Sequence, residues 1–183
     1  MVYKGSIHLI VGPMYAGKTS ELIRLKRRTD IAGQKSIIIK YNGDIRYGTD
    51  DQLYTFDKTA HPCVVSTGKS LKKTLNSLDP EIKYVYIDEI QFYEDAFEVC
   101  QELANNDIHV IVSGLQGTYE RKIFPVISQL IPIADKITQL TAIDKDSGND
   151  APFTKRIISG NDLEVIGGSE SYKSVDLYNY YLM

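Results

Sequence analysis

The eight residues Gly12-Pro13-Met14-Tyr15-Ala16-Gly17-Lys18-Thr19 fit the pattern G-x-x-x-x-G-K-[ST]. That spacing serves the binding of a nucleotide's phosphates. Its glycines let backbone N–H groups close around phosphate oxygens, and a helix beginning at the lysine adds the partial positive charge of its N-terminus. Lys18 would bring a full charge to the β- and γ-phosphates, and the Thr19 hydroxyl would ligate Mg²⁺. A second constellation lies downstream, where the apolar run Tyr84-Val85-Tyr86-Ile87 ends in Asp88-Glu89. Alone, those acids read as solvated strand-end residues. Downstream of a phosphate loop, Asp88 is expected to serve Mg²⁺ and Glu89 to act as general base toward a hydroxyl.

The flanking elements suit this chemistry. Ile7-His8-Leu9-Ile10-Val11 reads as a strand, and Leu22, Ile23 and Leu25 open a helical pattern that Gly33 can stop. Ser36 to Tyr41 reads as a buried parallel strand. Asn42 to Gly48 follows as a polar turn. Its Asp44 and Arg46 stand just past a strand's C-terminal end, where open α/β sheets place ligand contacts. Val64-Val65 predicts a short strand, Ser70 to Leu78 a short helix, and Ala96, Val99, Cys100, Leu103 and Ala104 a longer one. His109 to Val112 is a further strand in which the histidine is structural. Gly114 to Lys122 is a loop at the ligand edge, Phe124 to Leu130 a helix, and Ala134 to Leu140 a strand. The order predicts an α/β fold: a P-loop NTPase-like parallel sheet with helices on both faces, over residues 1–140. Residues 141–183 read as a small second module. It has a polar tip at Asp144 to Asp150 and two short strands of a hairpin, Phe153 to Ile158 and Leu163 to Ile166. Its end is rich in tyrosine.

Composition narrows the class. In 183 residues, 43% are hydrophobic and 25% charged, which is ordinary for a soluble globular protein. A net charge of -3 argues against a general nucleic-acid or membrane binder. The basic group Arg24, Lys26, Arg27 and Arg28 falls near a predicted helix end, where cations oppose the dipole. Cys63 and Cys100 have no metal or redox spacing and read as small buried hydrophobes in a reducing compartment. With no signal pattern and no long apolar run, cytoplasm is the expected location.

Taken together, these motifs resemble the cellular-type (type II) thymidine kinases. The match runs through Gly12 to Thr19, Asp44-Ile45-Arg46-Tyr47, Asp88-Glu89-Ile90-Gln91-Phe92, Gly114 to Lys122, Leu140-Thr141-Ala142, Phe153-Thr154-Lys155-Arg156 and Val165-Ile166-Gly167-Gly168. The resemblance implies phosphorylation of deoxythymidine on its 5′-hydroxyl by ATP, a step of nucleotide salvage for DNA synthesis. It places ATP on Gly12 to Thr19, on Asp44, Ile45 and Arg46, and on Asp88, Glu89, Ile90 and Gln91. Lys18, Glu89 and Arg46 would be catalytic, with Arg46 stabilising transferred charge. Thymidine would lie among Met14, Phe92, Leu115, Tyr119 and Phe124. A loop carrying Thr154, Leu163, Glu164, Val165, Ile166, Gly167 and Tyr172 would close over the base. A homotetramer is implied by resemblance as well.

The pattern is broken in two places. The family usually carries a structural zinc held by two C-x-x-C pairs, and those positions fall here on Asp144, Ser147, Asp176 and Asn179. Such oxygen ligands make a poor structural zinc site, so no zinc is expected and packing and hydrogen bonds must hold the module. Gln116 stands where the family commonly has aspartate. Two rival functions remain at this level: a kinase for another deoxynucleoside, and a nucleotide-binding regulator without catalysis.

Overall fold

Side chains alternate between two helical layers along four central strands, and this alternation sets the architecture. The computed structural model describes residues 5–43, 51–54, 60–76, 78–158, 168 and 170–182. The sheet contains β1 (Ile7–Gly12), β2 (Ser36–Lys40), β5 (Val64–Val65), β6 (Tyr84–Ile87), β7 (His109–Leu115) and β8 (Lys136–Gln139). Its order is β5-β2-β6-β7-β1-β8, with every pairing parallel. Ile10, Ile38, Tyr86 and Ile111 point to one face, where Leu22 and Ile23 of α1 (Lys18–Ile31) cover them. Leu9, Val11, Ile39, Val85, Ile87, Val110 and Val112 point to the other. That face is covered from α2 (Leu71–Leu75), α3 (Ala96–Asn105) and α4 (Pro125–Leu130) by Leu71, Val99, Cys100, Ile127 and Leu130. Each fully buried Leu or Ile contributes about 1.5–3 kcal/mol of hydrophobic free energy, so register is strongly specified on both faces.

The first crossover runs from β1 through α1 to β2, and the later elements return through β6 and β7. This brings the C-terminal ends of β1, β6 and β7 to one edge. An antiparallel pair, β3 (Gln52–Tyr54) with β4 (Ala60–Pro62), packs Leu53 onto the α1 face. Beyond the sheet, β9 (Ala142–Ile143) pairs with β10 (Asp150–Ala151). Further on, β11 (Phe153–Arg156) pairs antiparallel with β12 (Tyr172–Val175), and α5 (Leu177–Tyr181) ends the described chain.

Among the described residues Phe153–Arg156 pairs with Tyr172–Val175. Leu163 to Ile166, expected to form a hairpin with it, lies outside the described residues. Two details differ from the sequence reading. Cys63 is only half-buried, because it sits between the peripheral strands β4 and β5, whereas Cys100 is fully enclosed and burial pushes its thiol up to about 12. Ile90 is packed wholly inside the core instead of facing a ligand, because a 3₁₀ turn over Ile90–Phe92 directs it inward. His109 has the structural setting expected of it, stacked on Tyr84 at 4.7 Å and hydrogen-bonded to Ser6 at 2.8 Å. Among the described residues no helix is long and apolar enough to cross a membrane.

Candidate active site

The loop after β1 is held open by two backbone demands. A Cβ on Gly12 would stand 2.6 Å from the Leu140 carbonyl oxygen, so only glycine lets the strand end approach β8 this closely. Gly17 adopts a left-handed φ of 79° and starts α1, whose N-terminus has no side-chain cap. By contrast, Ser70 caps α2 and Asp176 caps α5. The N-termini of α3 and α4 lack a side-chain cap too, but only that of α1 follows a glycine loop at the cleft, where its first N–H groups suit an anion. Lys18 is buried and its Nζ donates to the Pro13 carbonyl at 2.7 Å, so the ammonium lies across its own loop.

Asp88 is fixed from three sides. Its N–H donates to the Ile39 carbonyl at 3.0 Å, seating it at the end of β6 beside β2. The Thr19 hydroxyl donates to Oδ2 at 2.8 Å, and the Ser113 hydroxyl donates to Oδ1. Ser113 lies on β7, the strand between β6 and β1, and is fully buried. Glu89 follows in the left-handed region with φ 53°, a rare state for a residue with a side chain. Its Oε2 accepts from Gln91 Nε2 at 2.5 Å, and Gln91 Oε1 in turn accepts from the Leu115 N–H at 3.1 Å. Gln91, expected at the nucleotide, is buried and does not line the cleft; it fixes Glu89 to the end of β7.

These groups open onto a cleft of about 660 Å³. Met14, Tyr15, Gly17, Lys18, Thr19, Asp88, Glu89 and Leu115 line one side, and Asp144, Tyr172 and Ser174 come from the C-terminal strands. Lys18, Thr19, Asp88 and Glu89 thus bring a cation, a hydroxyl and two carboxylates to one concave site, with Lys145, Lys173 and Asp146 also on its lining, an arrangement that suits moving a phosphoryl group between bound molecules. Lys40 also lines it, buried at the end of β2 with Nζ donating to the Gln52 carbonyl at 3.2 Å. The only sequence signal for Lys40 was a charge ending an apolar strand, and Ser113 gave none.

A model of the thymidine kinase family matches residues 5–180. The chain belongs to the thymidine kinase family. Curated relatives agree. The thymidine kinase of Myxoma virus (strain Lausanne) is 40% identical over 174 residues, 95% of each chain. That of Raccoon poxvirus is 43% identical over 173 residues, covering 93% of this chain and 94% of the relative. That of Vaccinia virus (strain Western Reserve) is 42% identical over 171 residues, again 93% and 94%. ATP is the phosphate donor of thymidine kinases, and this chain is an ATP-dependent phosphotransferase acting on thymidine.

Of the residues expected around a thymidine kinase's nucleoside, Met14, Leu115 and Tyr172 line the cleft. Thr154 is buried one layer behind, its Oγ1 accepting from the Met14 N–H at 3.0 Å. Phe92 stacks on Tyr41 at 4.9 Å and packs against the core, and Phe124 is buried in that core at the start of α4. Tyr119 carries the Arg156 guanidinium over its ring and accepts the Tyr180 hydroxyl on its carbonyl at 2.7 Å. None of these last three lines the cleft. Asp44, Ile45, Arg46, Leu163, Glu164, Val165, Ile166 and Gly167 lie outside the described residues.

The four positions where the resemblance would put zinc ligands come together and bond to one another. Asp144 is buried. Its Oδ2 accepts from the Asp176 N–H at 2.8 Å and from Asn179 Nδ2 at 2.9 Å, and its Oδ1 accepts from the Asp146 N–H at 2.9 Å. Ser147 Oγ donates to Asp176 Oδ2 at 2.8 Å, and Asp176 Oδ1 accepts from the Asn179 N–H at 2.8 Å. Burial alone would raise the Asp144 pKa, but the hydrogen bonds from Asp176, Asn179, Asp146 and Ser147 outweigh it and hold it at about 2. With no thiolate or imidazole, this set does not fit a structural zinc.

Proposed function

We propose that the phosphates of ATP bind the loop Gly12 to Thr19, with Lys18 charge-pairing the β- and γ-phosphates and Glu89 taking the proton of thymidine's 5′-hydroxyl. The observation that carries this reading is the convergence of Lys18, Thr19, Asp88 and Glu89 on one cleft. Phosphoryl transfer asks chiefly for positioning and for compensation of charge on the transferred group. Lys18 supplies fixed charge and the open N-terminus of α1 adds to it. Glu89, tethered by Gln91, presents a carboxylate whose position does not depend on the nucleoside. Thr19 Oγ1 and Asp88 Oδ2 are hard oxygen donors 2.8 Å apart, which fits a site for Mg²⁺. The ion, when bound, would neutralise charge on the phosphates. Arg46, with Asp44 and Ile45, is assigned to the same phosphates by resemblance.

Residues 1–140 form the ATP-binding part in this reading, and 141–183 the part closing over the nucleoside. The separation of β9 to β12 from the six-stranded sheet supports that division. Met14, Leu115, Thr154 and Tyr172, with Phe92, Tyr119 and Phe124 behind them, would shape the thymidine end. Leu163, Glu164, Val165, Ile166 and Gly167 would lie over the base. The protein works without zinc, in the cytoplasm, as a homo-oligomer, and feeds thymidine monophosphate to DNA synthesis.

The test is ADP production from Mg-ATP with thymidine and a panel of other nucleosides, each product weighed by mass spectrometry. Thymidine monophosphate well above the others is expected. A different preferred nucleoside would reassign the substrate, and tight ATP binding without turnover on any nucleoside would favour a regulator. Glu89→Gln should bind ATP normally and lose turnover by about 10²–10⁴-fold. Near-normal turnover in that variant would remove Glu89 from the mechanism.

A further inference from the structure

We propose that Ser174 is a positioning residue that, paired with Thr154, grips the backbone of Met14 and couples nucleoside binding to ATP binding. Thr154 and Ser174 face each other in the register of β11 and β12. Both are buried. Thr154 Oγ1 accepts from the Met14 N–H at 3.0 Å, and Ser174 Oγ donates to the Met14 carbonyl at 2.6 Å. One cross-strand pair of hydroxyls therefore satisfies both backbone groups of a single residue inside the phosphate loop. The next residue is tied to the same strand, for the Tyr15 hydroxyl donates to the Tyr172 carbonyl at 3.4 Å.

The grip falls where the loop needs support. Tyr15 has φ 62°, in the left-handed region that a bulky side chain rarely occupies. Such a conformation persists only when its surroundings over-determine it. Here part of those surroundings belongs to β11 and β12, far along the chain from the loop. Docking of this strand pair and the binding-ready shape of the phosphate loop are then a single equilibrium. A ligand that favours docking from the nucleoside side must tighten ATP, and ATP must tighten the nucleoside by the same factor.

This inference rests on the assignment of ATP to the loop and of thymidine to the end walled by Tyr172. Calorimetry would measure the affinity of the purified full-length enzyme for Mg-AMPPNP, a non-hydrolysable ATP analogue, with and without saturating thymidine. In the wild type, thymidine should tighten AMPPNP at least about fivefold. In Ser174→Ala that factor should fall by about threefold, toward no coupling, the equivalent of one hydrogen bond, and Thr154→Val should act alike. Ser174→Thr keeps the hydroxyl and should restore the factor. A residue that served stability alone would lower melting temperature and leave the factor unchanged, and that result would overturn the proposal. If Ser174→Ala fails to fold, the Thr154→Val and Ser174→Thr pair decides. A wild type that binds and phosphorylates thymidine with no coupling would sink this inference and leave the enzyme reading intact. A wild type that binds no thymidine would sink both.

Discussion

A carboxylate with a hydrogen bond on each oxygen is fixed in orientation and keeps lone pairs for a ligand, and Asp88 is such a group. Thr19 holds Oδ2 and Ser113 holds Oδ1, so its orientation is set before any ligand arrives. Ser113→Ala should lower kcat/KM for Mg-ATP by about tenfold to a hundredfold, since a hydrogen bond to a charged group contributes about 1.5–3 kcal/mol. Unchanged steady-state kinetics would mean that Thr19 and the backbone bond to Ile39 suffice to orient Asp88. Gln91 plays the matching part for Glu89, donating to its carboxylate while accepting from the Leu115 N–H. Gln91→Leu should reduce kcat about 10–100-fold with little change in KM for ATP, because a displaced base costs rate without costing phosphate affinity. An equal loss in both parameters would point to general damage. The groups proposed to meet the ligand, Lys18, Thr19, Asp88 and Glu89, were legible because loop and strand-end chemistry is local in sequence. Ser113 and the positioning role of Gln91 were not, since their contacts cross between β6 and β7 and no short pattern reports a cross-strand partner.

At the scale of elements, the C-terminal strands depend on one buried acid. Asp144 gathers hydrogen bonds from the turn after β9 and from the β12–α5 junction. Its pKa, held at about 2, lies below the 3.8 of a free aspartate. A folded-state pKa that is depressed means stabilisation fully present above the unfolded value and lost as the pH falls through the folded one. The Asp144 contribution should therefore persist above about pH 4 and fade between pH 4 and pH 2. Asp144→Asn removes the titration. Acid unfolding of the wild type, followed by tyrosine near-ultraviolet dichroism, should show a component in that window that the variant lacks; identical curves would assign acid sensitivity elsewhere. These elements were also the least legible. Runs of Val, Ile and Leu announce β1, β2, β6 and β7, whereas β12 is Tyr-Lys-Ser-Val and α5 is mostly tyrosine, neither with a strong period. Their order comes from specific polar contacts such as those of Asp144, and these have no signature in hydrophobicity.

At the scale of the molecule, the question is what keeps the C-terminal strands against the sheet. Gln116 is one link, donating from Nε2 to the Pro152 carbonyl at 2.6 Å while its Oε1 accepts from Gln139 at 3.1 Å. An aspartate there could not donate, so the amide suits this bridge in a way the commoner residue of the family would not. Arg121 is another. It stands in the loop after β7, and its guanidinium lies over the rings of Phe153, Tyr180 and Tyr181 at 5.4, 4.7 and 5.0 Å. The loop at the ligand edge thus holds both β11 and α5, and through them the wall of the cleft. At an exposed site each cation–π contact contributes about 0.5–1 kcal/mol, and three sharing one cation sum to less than three separate pairs. Arg121→Ala should therefore cost about 1–2 kcal/mol and lower the melting temperature by about 2–8 °C. Because the contact lies toward the end of the cleft proposed for the nucleoside, KM for thymidine should rise while KM for ATP at saturating thymidine stays near its wild-type value. Arg121→Lys, which keeps the charge and loses the planar stack, should fall between the two. A wild-type melting temperature in Arg121→Ala would show that the tyrosine-rich end is held by its own strands and contributes nothing through this loop.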